Sequence, residues 1–363
     1  MGALTENTAL TFSVASTKKV NVPVVAGTRV FNGSLVGRHY CTGLLKPFEV
    51  GDVFAGILSA EADNSDGLAS AISGVVNTDG IVELTLADAA NSDVGDPVFA
   101  TDSGAIARYG HTLAYVGRIV SKGATGRVNV ELKRPGELPR RGEKGCSYIE
   151  AAGPPATTTG AAAATSMYSD GITYSSALGL GISHEAADGK HMWTMALDGT
   201  NEIANAQLIT PAMFNPSGGI VFETDLTVES ASGATIDVDW GIADAVVVTA
   251  FDGAFKAVFH YDGGAETLLA GADDATVDVA EVDTTKVNVS GTTKKFTIIL
   301  RPTEAPEFYI NRAQVLTTNF AAVVLLHACT TPYIAFLNLE KTVDTTTAVV
   351  KVTRFVCYGA GSA

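Results

Sequence analysis

The chemistry-bearing residues of this 363-residue chain are numerous in carboxylates and sparse in everything else. Asp237, Asp239 and Asp244 flank Trp240, and Asp273, Asp274, Asp278, Glu281 and Asp283 form a loose run downstream. Paired carboxylates can serve as acid and base across a sugar cleft, provided that they stand at a defined separation. Asp237 and Asp239 are period-two neighbours and share one strand face; the commoner role of such a pair is a solvated surface. Trp240 offers a ring on which a sugar could stack, although tryptophan is more often core. Trp240 and Asp239 are therefore the candidate glycan contacts. Calcium held by acidic loops is a weaker alternative.

The remaining side chains exclude several chemistries. The six histidines, His39, His111, His184, His191, His260 and His327, show neither HxH nor HxxxH spacing, and a lone histidine in a strand is usually packed or surface-bound. The four cysteines, Cys41, Cys146, Cys329 and Cys357, form no CxxC pair, which argues against zinc. Cys329 and Cys357 could pair, but buried thiols in a reducing compartment are the commoner case. There is no GxSxG elbow, no P-loop, and no GxGxxG opening a helix; Gly179-Leu180-Gly181 is too short to count. Asp63-Asn64-Ser65-Asp66-Gly67 resembles the start of a calcium loop, but Gly74 stands where the twelfth-position acid belongs, so a solvated turn is expected. No catalytic residue, cofactor site or metal site is expected, and the protein is read as not an enzyme.

The elements that must carry these residues are short strands. Glycine occurs 37 times and charged residues make up only 17%, a composition suited to strands and turns. Gly126 to Lys133 alternates, with Val128, Val130 and Leu132 on one face. Val94 to Val120 reads as three strands broken by Gly95-Asp96-Pro97, Asp102-Ser103-Gly104 and Gly110. Ile72 to Val76 and Ile81 to Leu86, around Asn77-Thr78-Asp79-Gly80, read as a hairpin, and Lys46 to Asp52 as a loop. Thr8 to Val14 could form an edge strand, and Pro23 marks an edge or bulge. Residues 136–166, with Pro139, Pro154-Pro155 and the Ala161–Ala164 run, read as a linker. Arg134, Arg140, Arg141 and Lys144 form a small basic cluster beside it, suited to an acidic partner or to solvent. Beyond it, Gly219 to Val228, Thr235 to Trp240, Phe255 to Tyr261, Lys294 to Arg301 and Thr347 to Tyr358 are strands. The fold class is thus all-β, with an N-terminal small β-barrel (1–135) and a C-terminal antiparallel β-sandwich (167–363).

Charge is divided unevenly between these halves. Residues 1–135 hold 11 basic and 13 acidic residues; residues 166–363 hold 10 and 23, within a total of −15. An acidic half repels nucleic-acid phosphates and anionic membranes, so neither is an expected partner. The start, Met1-Gly2-Ala3-Leu4-Thr5-Glu6, lacks a basic and apolar leader. No run reaches the about 18 apolar residues of a spanning helix, and synthesis in a cytoplasm is expected.

Two resemblances sharpen the reading. Gly95-Asp96-Pro97-Val98-Phe99-Ala100, Tyr115-Val116-Gly117-Arg118-Ile119-Val120 and Gly126-Arg127-Val128-Asn129-Val130-Glu131-Leu132 resemble the capsid decoration (cement) proteins of tailed bacteriophages, over roughly residues 1–135. The resemblance implies a structural protein of the virion, made in the host cytoplasm. It would sit on the outer capsid surface as a homotrimer bound to the major capsid protein, with the sandwich projecting into solvent. Leu4, Thr8, Phe12, Lys18 and Lys19 of the N-terminal arm, with Lys46 and Phe48 of the following loop, are the candidate capsid contacts. Phe296-Thr297-Ile298-Ile299-Leu300, Glu307-Phe308-Tyr309-Ile310-Asn311 and Val349 to Cys357 are similar to the paired and closing strands of concanavalin-like jelly rolls, which include lectin domains. That second likeness leaves open a lectin-like fibre or adhesin binding host-surface glycan.

Overall fold

The computed structural model describes residues 4–87, 89–108 and 112–133, strand backbones between 146 and 209, residue 210, and 212–361 apart from 231–235, 246–254, 286–290, 317 and 342–347. The described elements are strands and three short 3-10 turns. The chain divides into two compact units, one of Met1–Ser147 with Tyr358–Ala363 and one of Tyr148–Cys357. The division falls inside the stretch expected to be a linker. That stretch carries the strands Cys146–Glu150 and Thr158–Thr159. The basic cluster Arg134, Arg140, Arg141 and Lys144 lies outside the described residues.

The first unit is a small barrel of two main sheets. Six strands run in the order Phe12–Val14, Ile81–Thr85, Arg127–Leu132, Tyr115–Lys122, Pro97–Ala100 and Ile106–Ala107. Five run in the order Lys19–Pro23, Ser73–Asn77, Val53–Leu58, Leu35–Arg38 and Leu45–Pro47. Both contribute to one core, in which Leu35, Phe48, Phe54 and Ile57 of the smaller sheet and its loop meet Val82, Phe99, Tyr115 and Val130. The alternation in Arg127–Leu132 holds, with Val128, Val130 and Leu132 inside. Pro23 ends an edge strand, where its missing N–H costs no ladder bond.

Two local expectations are corrected here. Ser73–Asn77 and Ile81–Thr85 do not pair with each other: the first pairs with Lys19–Pro23 and Val53–Leu58, the second with Phe12–Val14 and Arg127–Leu132. The Asn77–Gly80 turn is therefore a corner between sheets. Its Asp79 carboxylate accepts bonds from Thr17 Oγ1 (2.6 Å), Ser16 Oγ (2.7 Å) and the Thr17 and Lys18 amides (2.9 Å each), which close the corner in place of a hairpin ladder. Lys46 and Pro47 lie in a strand, not a loop, and Phe48 follows it into the core edge-on to Phe54.

The second unit is a sandwich whose described ladders are antiparallel. Its first sheet runs Thr158–Thr159, Gly181–Ala187, Lys190–Leu197, Ala348–Gly361, Phe214–Ser230, Lys294–Leu300, Glu307–Ile310 and Ala313–Val315, with Cys146–Glu150 beside Ala348–Gly361. The second runs Ser166–Met167, Thr173–Ala177, Ala204–Ile209, Ile334–Lys341, Ile236–Ala243, Phe255–Asp262, Thr267–Asp274 and Asp278–Asp283. Their inner faces share one large core, where Phe222, Phe296, Ile298 and Val350 meet Trp240, Phe259, Ala270 and Leu337. Phe296 packs edge-on to Trp240 (4.7 Å between centroids) and Phe259 (5.1 Å), so aromatic contacts bridge the two sheets.

Candidate functional site

Alternation decides which side chains of the second sheet face away from this core. In Ile236–Ala243, Ile236, Val238, Trp240 and Ile242 point inward, so Asp237 and Asp239 share the outer face. Register then assembles a polar row. Asp239 stands opposite His260 on one side and Asn338 on the other; Asp237 stands opposite Glu340 and Asp262. Glu281 joins through a bulge. Ala270 pairs with Val282 but Ala272 with Val279, so two residues, Ala280 and Glu281, face Gly271. Val279 and Val282 keep contact with the core, and the extra residue lets Glu281 lie outward. Gly271 offers no side chain to compete for the space: a Cβ there would lie 3.6 Å from Glu281 Cγ.

The resulting group is compact. His260 Nδ1 lies 2.5 Å from Asp239 Oδ1 and 3.6 Å from Glu281 Oε1, while Nε2 lies 3.8 Å from Asp237 Oδ1. Asp239 is 2% exposed, Asn338 also 2%, and Glu281 is on the surface. Burial pushes the Asp239 carboxyl up to about 7 against the opposing pull of His260. Burial alone would lower His260, but the Asp239 hydrogen bond and the charges of Asp239, Glu281 and Asp237 outweigh it and raise the imidazole to about 9. Asp237 and Glu340 are both raised, in each case by burial first; their mutual repulsion adds to the shift of Glu340. Asn338 donates a side-chain hydrogen bond to Glu340, and its Oδ1 is buried with no partner. A buried amide oxygen without a donor costs about 1–3 kcal/mol, so the site carries an unmet acceptor beside its acid–imidazole pair.

The sequence-derived candidates fare differently. Asp239 belongs to this group, but as a buried partner of His260 and not as a free surface acid. Trp240 is fully buried, stacked on Phe259 with centroids 5.8 Å apart, and presents no ring to a ligand. It alternates with Asp239 and so faces the opposite way. Phe48 is likewise core, and Lys46 is held by Glu49 and Asp52, so neither forms a free contact loop. The arm lies on its own barrel. Leu4 N–H donates to Ser103 Oγ, Thr8 N–H to Asn32 O, and Phe12 packs against the core. Lys18 and Lys19 are exposed. Lys18 lines a groove of about 890 Å³ together with Val14, Asp79, Tyr115, Arg118 and Lys133. Cys329 and Cys357 are buried free thiols. Sequence reasoning named His260 and Glu281 without joining them to Asp239, and passed over Asn338, because their convergence depends on register and a bulge. The available signal was the polar residue at an outward position of each neighbouring strand.

No family model matches the chain, and no curated protein matches it. Solved structures similar to it include a protein of unknown function from Shewanella oneidensis MR-1, at 10% identity over 60% of this chain and 87% of that one, with a TM-score of 0.42. Others are the alginate lyase AlgAT5 of polysaccharide lyase family 7 (13% identity, 50% and 82% covered, TM-score 0.35) and the metal-free carbohydrate recognition domain of Emp46p (10% identity, 49% and 86%, TM-score 0.35). Likeness at this level does not bear on ligand or activity.

Proposed function

We propose that the protein is a binding protein without catalytic activity, and that its sandwich holds a glycan on the outer face of the Ile236–Ala243 sheet. The observation that carries this reading is the polar row on that face, where the half-exposed Asp237 and the exposed Glu281 stand on either side of His260. A sugar hydroxyl both donates and accepts, and a fixed array of amide, carboxylate and imidazole groups matches that chemistry. The test is a glycan array with the full chain. Binding that is lost in Asn338→Leu and Glu281→Gln, with the fold kept, supports the reading. An array with no hits, or hits unchanged in both variants, refutes it.

A second reading concerns the first unit, as an attachment module for a protein shell of the phage-decoration kind. It is favoured by the edge strand Phe12–Val14, paired on one side only among the described residues, and by its exposed apolar Val14 (51%). An open edge and apolar surface together suit strand addition to a partner. On this reading the protein decorates the outer capsid surface of a virion as a homotrimer, through the major capsid protein. Co-sedimentation with expanded capsids, abolished by Val14→Lys, is the expected result; a monomer that stays in the supernatant removes the reading.

A further inference from the structure

We infer that Asp239, His260 and Glu281 form a binding site for a divalent transition-metal cation of the zinc class, with the Asn338 side-chain oxygen as a fourth donor. One ligand atom from each of the three residues can be chosen so that all lie within 4.8 Å of one another. Zinc bonds of about 2.0–2.2 Å in tetrahedral array place donors about 3.4 Å apart. His260 Nδ1 and Glu281 Oε1, at 3.6 Å, already fit. Asp239 Oδ1, at 2.5 Å from Nδ1, opens by about 0.9 Å to admit the ion. One imidazole, two carboxylates and one amide oxygen suit zinc, cobalt or manganese, whereas calcium wants six or more oxygens.

Two further features point to an ion and not merely to an acidic patch. Asn338 stands directly across the strand from Asp239, on the same face, 98% hidden from solvent, and its Oδ1 has no partner. His260 turns Nδ1 to the proposed ion, and its Nε2 lies 3.8 Å from Asp237 Oδ1, within reach of the outer carboxylate hydrogen bond that commonly orients a metal-bound imidazole. Other buried or cornered acids are already occupied. Asp274 accepts the Thr276, Val277 and Leu325 amides, and Asp79 accepts the Thr17 and Lys18 amides and two hydroxyls.

The inference uses the face assigned to the glycan but does not require that ligand. The test is calorimetric titration of the full, chelator-stripped chain with zinc chloride, and separately with calcium chloride. One zinc per chain with far weaker calcium binding is expected. Glu281→Gln, a surface change that leaves the fold alone, weakens zinc at least tenfold, and Asp237→Asn weakens it about tenfold through the orientation of His260. No stoichiometric zinc, or zinc binding unchanged in both Glu281→Gln and Asp239→Asn, overturns the inference. A glycan array run with zinc and with chelator separates the two ideas. Zinc binding without glycan hits removes the glycan alone; glycan binding by a chain that takes no zinc removes the metal alone.

Discussion

Replacing Asn338 by leucine gives the sharpest test of the site. In the free protein, Asn338→Leu removes a buried oxygen that has no donor, worth about 1–3 kcal/mol in favour of the variant. It deletes the bond to Glu340, a loss of about 1.5 kcal/mol to a charged acceptor. Leucine has the branched shape of asparagine but a larger volume, so crowding cuts its burial gain of about 1.5–3 kcal/mol to about 1 kcal/mol. The net is a stabilisation of about 1 kcal/mol, or a rise of roughly 0.3 M in the urea midpoint at a slope near 3 kcal/mol/M. Both tryptophans, Trp193 and Trp240, lie in the second unit, so tryptophan fluorescence follows that unit alone. Added zinc should reverse the order, because only the wild type gains the fourth donor. A variant destabilised by 1 kcal/mol or more without metal would mean that Asn338 is a satisfied structural residue, and the case for an unmet acceptor would fail.

Three further outcomes follow from the same geometry. Trp240→Ala leaves a cavity between Phe259 and Phe296 and lowers the stability of the sandwich by about 3–5 kcal/mol in urea melts; any loss of ligand in this variant reports unfolding, and Trp240→Phe should keep binding. Asp79 is held down to about 2, chiefly by the Thr17 hydroxyl, so its folded value lies below the ordinary 3.8. Its contribution is full above pH about 4 and is lost as pH falls toward 2; amide exchange at Thr17 and Lys18 should quicken over that window in wild type and at neutral pH in Asp79→Ala. Gly33 has φ +80°, and a Cβ there would lie 2.1 Å from Thr8 O. Gly33→Ala should therefore lift the arm, read as faster proteolysis within residues 4–10, while sandwich fluorescence stays unchanged.

How much of this was legible in the sequence depended on how local the cause was. Alternation in Arg127–Leu132 and the Pro23 edge are effects of neighbours in sequence, and they came through in the structure. The Asn77–Gly80 corner did not. Its residues suit a hairpin turn equally well, and the partner that decides, the Thr17 side chain, lies 62 residues away. Trp240 was misjudged for a related reason. Its neighbours are acidic, but strand alternation sends Trp240 and Asp239 to opposite faces, so adjacency in the chain became separation in space. Phe48 was placed at the surface because Lys46-Pro47 looked like a loop, whereas the strand Leu45–Pro47 delivers it inward.

The acid–imidazole group also raises the question of what such a cluster is for. A structural ion pair buried for stability needs one acid and one base, and even then burial consumes much of the attraction. Here a single imidazole faces Asp239, Asp237 and Glu281, and among the described residues it is the cation that touches them. Glu340 adds a fourth acid one row away, beside Asp237. Excess negative charge pressed together at a sheet surface destabilises the free chain, and apolar side chains of similar volume would pack there at lower cost. Asn338 compounds the penalty with its unmet oxygen. Both costs have the same sign of remedy, since a cation neutralises the carboxylates and accepts the lone pair of the amide. The bulge at Ala280 and Glu281 points the same way, because regular pairing of Thr267–Asp274 with Asp278–Asp283 would place one residue, not two, opposite Gly271.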